Sequence, residues 1–262
     1  MAWGWKERMA GGRMYHFFVE EHQIQGDAVR IEGNDVKHIK NVLRMKAGEE
    51  LAVGNGVDRK EYRCRIEELL ADSVVCRVLA VEEADTELPA RIFLFQGLPK
   101  GDKMETIVQK AVELGAYEVI PVAARRCVVK LDEKKAKSKM ARWQAISEAA
   151  AKQSGRRIIP EVKGVMTMKE AMAYAADMDV RLIPYERAEG MEKTRDIIRS
   201  LRPGQDIAVF IGPEGGFEED EVDMAAEAGI CPVTMGKRIL RTETAGLAML
   251  AWMVYQLEES SI

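Results

Sequence analysis

Near Pro89 the hydrophobic pattern of this 262-residue chain changes period, and that change limits its fold more than any other feature. Downstream of it, short apolar runs alternate with stretches of helical spacing. Arg91–Gly97 is a continuous apolar run suited to a buried parallel strand. Met104, Ile107, Val108, Ala111 and Leu114 then recur on one helical face, with Asp102 placed to cap that helix and Gly115 where a C-cap belongs. Further strands are expected at 118–122, 180–185, 207–212 and 232–235, and helices at 135–154, 169–177, 190–201, 218–228 and 243–258. Such alternation means an α/β domain: a mostly parallel sheet with helices on both faces. Ligands of such sheets sit at the carboxyl ends of the strands.

Upstream the pattern is β. Short alternating or β-branched runs at 29–31, 50–54, 61–66 and 74–81 are separated by glycine-bearing turns. One helical stretch, 35–44, interrupts them with Val36, Ile39, Val42 and Leu43 at helical spacing. Short strands around one helix in a span of this size point to a small β-barrel. The acidic, proline-ended segment 82–89 reads as the linker. Residues 1–13 have two tryptophans but no apolar h-region, so they read as an extension rather than a secretory signal. The expected organisation is therefore an extension at 1–13, a barrel at 14–82 and an α/β domain at 83–262.

Composition narrows the function classes. Four cysteines lie far apart without a CxxC pair, and the three histidines (His16, His22, His38) are all N-terminal. That pattern argues against a zinc site or a disulfide framework; no metal is expected, and a reducing, cytoplasmic setting fits best. No apolar run reaches bilayer length, so no membrane is expected. Net charge is −4, yet residues 121–163 hold 12 Lys/Arg against four Asp/Glu, a local +8 that leaves −12 for the rest. A polyanion responds to local potential rather than to the total. Arg125, Arg126, Arg156 and Arg157 in that segment are accordingly candidate contacts for a nucleic acid, although from charge alone a solvated helix face is the slightly better reading.

Two loops at predicted strand ends carry the chemistry. Gly212-Pro213-Glu214-Gly215-Gly216-Phe217 has three glycines in six residues, which permits positive φ and close approach of backbone to a ligand. It matches no phosphate-binding fingerprint, and the helix after it opens Glu218-Glu219-Asp220-Glu221, which would repel a pyrophosphate. S-adenosylmethionine, an adenosine with a cationic sulfonium and no phosphate, is compatible with it. The second loop, 236–245, holds Ile239 and Leu240 among polar neighbours, three cations (Lys237, Arg238, Arg241), and Thr242 and Thr244, either of which can cap the last helix.

Four motifs in order make a resemblance specific: 100–105 (KGDKME), 109–115 (QKAVELG), 211–217 (IGPEGGF) and 238–245 (RILRTETA). Together they resemble the ribosomal RNA small-subunit methyltransferase E family, of the SPOUT methyltransferases. That resemblance implies a PUA-like RNA-binding barrel followed by a trefoil-knotted α/β domain, working as a homodimer. It implies that S-adenosylmethionine lies between the two loops. On the first, Ile211, Gly212, Pro213, Glu214 and Gly215 would hold it; on the second, Met235, Gly236, Ile239, Leu240, Thr244 and Ala245. The implied reaction is methylation of N3 of one uridine in 16S rRNA. His38, Arg44, Lys100 and Lys103, which fall within the family's motifs, are expected to contact the RNA, as is His16, which departs from the family by standing where it often has Arg.

Transfer to uridine N3 requires an oriented donor, loss of the N3 proton and stabilisation of the uracil anion. Arg241 is the candidate for stabilising that anion or a neighbouring phosphate, and Glu243 for handling the proton. The final helix is apolar nearly all round, which suits core and, given the resemblance, part of a dimer interface. Two other readings stay open: methylation of a different RNA nucleotide, and a non-catalytic RNA-binding protein. A nicotinamide-dependent enzyme would need a fingerprint after Arg91–Gly97 that Leu98-Pro99-Lys100-Gly101 does not supply.

Overall fold

The computed structural model describes residues 14–83, 86–129, 131–188 and 190–259. The expected extension at 1–13, and Ala84 and Asp85 of the expected linker, lie outside these. The chain divides into two compact units, one of residues up to Glu87 plus Gly155–Ile159, the other Leu88–Ser154 with the rest from Pro160 onward.

The first unit is built on β1 (His16–Phe18), β2 (Ile24–Gln25), β3 (Ala28–Glu32), β4 (Glu50–Gly54), β5 (Lys60–Leu69) and β6 (Ser73–Glu83), with a short α1 (Asn34–Lys37) after β3. They form one sheet in the order β1-β4-β5-β6-β3-β2, where β1 runs parallel to β4 and every other pair is antiparallel. Among the described residues β1 and β2 are not paired with each other, so the expected barrel is an incompletely laddered one. Alternation along β3, with Val29 and Ile31 buried and their neighbours exposed, turns one face inward onto Leu51, Ile66, Val74 and the buried Cys64 and Cys76. Burial pushes both of those thiols up to about 12, which keeps them protonated and inert. Irregularities at Arg63/Cys64 and Ile66/Glu68 increase the twist of the long β5–β6 ribbon. β6 reaches Glu83, paired with Lys60, so the strand occupies the start of the segment expected to be linker.

The expected helix at 35–44 is more irregular than its periodicity implied. It passes from α1 into a π turn over His38–Val42 and ends at Arg44 with φ 55°, the one non-glycine residue with positive φ among those described. A π turn and a left-handed arginine in sequence are both costly backbone states.

The second unit contains a parallel sheet of seven strands. β7 (Arg91–Gly97), β8 (Glu118–Ala123), β9 (Glu161–Val162), β10 (Met166–Thr167), β11 (Val180–Pro184), β12 (Asp206–Ile211) and β13 (Cys231–Val233) lie in the order β10-β8-β7-β12-β11-β13, with β9 also on β8. Its helices are α2 (Lys103–Glu113), α3 (Glu133–Ser154), α4 (Met168–Tyr174), α5 (Met191–Ser200), α6 (Glu219–Glu227) and α7 (Thr242–Glu259). Alternate residues of β7 face opposite layers. Phe93 and Phe95 join Phe210, Ile120 and residues of α4 and α6 in one core, with the Phe95 and Phe210 rings stacked at 4.3 Å. Leu94 and Gln96 face α7, whose Gly246 lets that helix lie close to them. Gly115 ends α2 with φ 86°, as expected of a C-cap glycine, and a Cβ there would strike Leu88. Asp102 precedes α2 but makes no side-chain cap; its carboxylate faces Lys139 of α3 at 3.6 Å. Among the described residues no helix is long and apolar enough to cross a membrane, and no cluster of His, Cys, Asp and Glu could hold a metal ion.

Candidate functional site

β12, β11 and β13 run parallel in neighbouring registers, so Ile211, Pro184 and Val233 end at the same edge of the sheet. Beyond that edge a cavity of about 500 Å³ opens. Its walls are the loop 212–217 after β12, residues 184–186 after β11, and the loop 234–241 leading into α7. Both loops singled out in the sequence meet there.

The first loop is shaped by small residues at close quarters. A Cβ on Gly212 would sit 3.0 Å from the backbone of Gly216, and one on Gly97, at the end of β7, only 2.6 Å from the ring and nitrogen of Pro213. Gly216 has φ 69° and donates its amide to the Pro213 carbonyl at 2.9 Å, closing the turn. Arg126 fastens the outer side: its guanidinium donates to the Gly215 carbonyl at 2.8 Å and pairs with Glu218 at 2.9 Å. The acidic helix start has internal work to do. Buried Glu221 accepts the amides of Glu218 and Arg125 in a capping box, and Asp220 pairs with the Arg125 guanidinium.

The second loop hangs from α5 and α7. Buried Thr194 donates its hydroxyl to the Thr234 carbonyl at 2.9 Å, and Gly236 takes φ 99°. Thr242, expected as a possible cap, has another task. Its hydroxyl donates to the Gly212 carbonyl at 2.6 Å and accepts from the Gln96 amide at 2.8 Å, tying the start of α7 to the first loop and to β7. Ile239, 88% exposed, projects at the mouth beside exposed Arg238 and Arg241.

Lys103 lies between the two walls. Its ammonium donates to Glu214 of the first loop at 2.8 Å and stands 3.6 Å from Glu243 of α7. The hydrogen bond to Glu214 raises the lysine above its ordinary value. Desolvation pushes the Glu214 carboxyl upward, but the bonds from Lys103 and from backbone amides, including that of Lys100, outweigh it and hold the group below the usual range. Glu243 keeps one oxygen, Oε2, shielded from solvent and without a hydrogen bond.

The cavity gathers Ile211, Gly212, Pro213, Glu214 and Gly215 with Met235, Gly236, Ile239, Leu240 and Ala245, while Thr244 is exposed and off the lining. Arg241 and Lys103 also line it. Sequence reasoning did not select Pro184, Tyr185 and Glu186, although the end of a predicted parallel strand was signal enough. It also passed over Thr234 and Thr242 as binding-site residues. In the first unit His38 and Arg44 are exposed, and His16 is half-buried against Phe18 and Gly54. Lys100 is exposed beside Glu214.

Arg156 and Arg157 require a correction. They are 4% and 8% exposed, and belong to the first unit's interior. Arg156 binds Glu87 through two nitrogens, at 3.0 and 2.5 Å; Glu87 also accepts the Arg157 amide, and the Arg157 guanidinium pairs with Glu61. Both guanidiniums are engaged with carboxylates inside this unit, an arrangement that favours a structural role over the expected RNA contact.

Comparison with known proteins agrees with this arrangement. Residues 86–254 match the model of an RNA methyltransferase domain, and 31–79 that of an RNA methyltransferase PUA domain. The ribosomal RNA small subunit methyltransferase E of Bacillus subtilis is 38% identical over 94% of this chain and 98% of its own length. The enzyme of the same name from Neisseria gonorrhoeae, solved with S-adenosylmethionine bound, superposes with a TM-score of 0.79 at 35% identity, covering 92% of this chain and 97% of that one. A Legionella pneumophila methyltransferase with the same cofactor bound gives 0.81 at 33% identity, covering 92% and 97%.

Proposed function

This chain belongs to the ribosomal RNA small subunit methyltransferase E family, and from that premise we propose that it transfers a methyl group from S-adenosylmethionine to N3 of one uridine in 16S rRNA. The observation that carries the reading is the cavity at the carboxyl ends of β12, β11 and β13, closed by two glycine loops that Thr242 joins. Its chemistry fits the donor. Its volume of about 500 Å³ is in the range of small-molecule sites. Side chains are missing at Gly212, Gly215, Gly216 and Gly236, so backbone groups can meet an adenosine directly, and the lining places the carboxylates of Glu186 and Glu214 among Lys103, Lys237, Arg238 and Arg241. Bound there, the donor supplies an activated methyl group.

The residues of the chain then position, hold charge and move a proton. Arg241 is exposed at the mouth, and no acid is paired with it among the described residues. It is placed to neutralise the uracil oxygens that gain charge when N3 loses its proton. Glu243 is the carboxylate proposed to accept that proton; it lies off the cavity lining, with its shielded Oε2 3.6 Å from the Lys103 ammonium, so the role requires its side chain to turn toward the substrate. Lys103, between Glu243 and Glu214, keeps this part of the wall in place. His38 and Arg44 on the first unit supply RNA contacts. Membership of the family is what supports the remaining parts of the reading: a knotted path for the end of the chain, pairing of two copies and a cytoplasmic setting.

Calorimetry with S-adenosylmethionine, followed by incubation with 16S rRNA or small subunits and nucleoside mass spectrometry, tests the reading. Donor binding and N3-methyluridine are expected. Failure to bind the donor with or without RNA ends it, and a different methylated nucleoside moves it to another RNA target. Arg241→Ala is expected to keep donor affinity and lose turnover by about 10²-fold or more; near-normal turnover removes Arg241 from the chemistry.

A further inference from the structure

The local +8 of residues 121–163 is redistributed by the fold. Arg156 and Arg157 are spent inside the first unit, and Arg125 and Arg126 hold the first loop and α6. Arg125 and Arg126 stay exposed but are paired with Asp220 and Glu218, and the cations on the surface without such close pairing lie in the first half of α3. Residues 134–147 contain Lys134, Lys135, Lys137, Lys139 and Arg142, and no acid. Lys134, Lys135 and Lys137 are exposed in the opening turn, where the helix dipole already presents positive charge and acids are the stabilising choice. Among the described residues neither Lys134 nor Lys137 has an ion-pair partner, and Lys135 meets only the exposed Asp132. Asp132 caps this helix start, accepting the Lys135 amide at 2.8 Å, but one capping carboxylate leaves the exposed lysines in excess, a surplus of positive charge suited to a polyanionic partner.

Position supports this. Lys139 reaches Asp102 at 3.6 Å and Arg142 reaches Glu105 at 2.8 Å, so this basic stretch is fastened beside the start of α2. Lys103, which opens α2 between those two acids, lines the cavity. The exposed side of α3 continues as Ser138, Ala141, Ala145 and Ala149, small and uncharged, and the acid beside Ala149, Glu148, is paired with Lys152.

We propose that the N-terminal half of α3 is an RNA-docking surface, its lysines neutralising backbone phosphates of the substrate while the target nucleotide enters the adjacent cavity. This rests on the methyltransferase reading for the identity of the RNA. Phosphate contacts of this kind set register and affinity without reading sequence.

The test uses the full chain and a Lys134→Gln/Lys135→Gln/Lys137→Gln variant, with 16S rRNA as ligand over a salt series. Each lost contact is expected to flatten the log–log salt slope by about 0.7–0.9, so a total of roughly 2, and to raise KM for RNA about tenfold. Donor Kd and kcat are expected to stay unchanged, and thermal stability to hold or rise as like charge leaves the helix start. The corresponding triple Arg variant is expected to restore KM. A parent chain that methylates 16S rRNA, beside a Gln variant with unchanged slope and KM, overturns the proposal and leaves the enzymatic reading intact. A parent that shows the lysine-dependent slope but transfers no methyl group retains the docking surface and overturns the enzymatic reading.

Discussion

The hydroxyl of Thr242 donates to the carbonyl of Gly212 at 2.6 Å, so a residue at the start of the last helix holds the first loop, thirty positions earlier, against the second. Because the same oxygen accepts from Gln96, its one proton and a lone pair are both engaged, and the side chain is 4% exposed. Thr242 therefore joins the two walls of the cavity, and donor binding is expected to depend on it.

Thr242→Val keeps the shape and removes both bonds, leaving a buried carbonyl and an amide hydrogen unsatisfied. A loss of about 2 kcal/mol is expected, seen as a melting temperature lowered by roughly 4–8 °C. Donor Kd is expected to weaken about tenfold, with Thr242→Ser near the parent in both. Parent-like binding by the valine variant, measured calorimetrically, removes the coupling.

Lys103 and Glu214 make the cavity sensitive to acid. Glu214 has a depressed folded value, so its contribution is complete above the ordinary carboxylate range and is lost as pH falls through that lowered value. Lys103 is raised, so its contribution is present below the ordinary lysine range and is lost only as pH rises through the raised value. Donor affinity is thus expected to be flat at neutral pH with an acid limb below the reference value of 4.5. In Lys103→Met the bond that depresses Glu214 is gone and its desolvation stays, so the acid limb moves to higher pH. Superposable pH profiles of donor binding count against the bridge.

Gly97 ends β7 with no unusual φ, and its role is spatial. A Cβ there would stand 2.6 Å from the Pro213 nitrogen and ring, backbone that cannot yield without moving the first loop. Gly97→Ala is expected to cost about 1–3 kcal/mol and to weaken donor binding more than Gly216→Ala does at equal stability, since Gly216 has open space and only an unfavourable φ of 69°. Paired denaturation and calorimetry on the two variants decide it.

Much of this was legible in the sequence where local signals and tertiary demands agree. β7 is buried on both faces and reads as an unbroken apolar run; the glycine loops announce themselves because only glycine permits their approaches. What was hidden depends on neighbours distant in sequence. Nothing local says that β11 lies between β12 and β13, so Tyr185 and Glu186 went unnoticed at the cavity. Thr242 stands where a cap belongs, and only the partner at Gly212 gives it another task. Helical spacing at 36–43 matches the observed burial of Val36 and Ile39 but carries no sign of the π turn or of Arg44 at positive φ.

Arg156 is the sharpest case, because its charge pointed outward in the sequence and its carboxylate partner, Glu87, lies 69 residues away. Both side chains are 4% exposed, so each is tolerated only because the other is there. Arg156→Ala leaves Glu87 buried with the Arg157 and Ile158 amides but without its guanidinium. A destabilisation of about 3–5 kcal/mol is expected, read as a lower urea midpoint for the first unit. Replacing both members, Arg156→Met with Glu87→Gln, is expected to recover a large part of that loss. If these residues serve the fold and not the RNA, the double variant, folded again, binds 16S rRNA with the salt slope of the parent; a flattened slope in that folded variant returns Arg156 to the RNA interface.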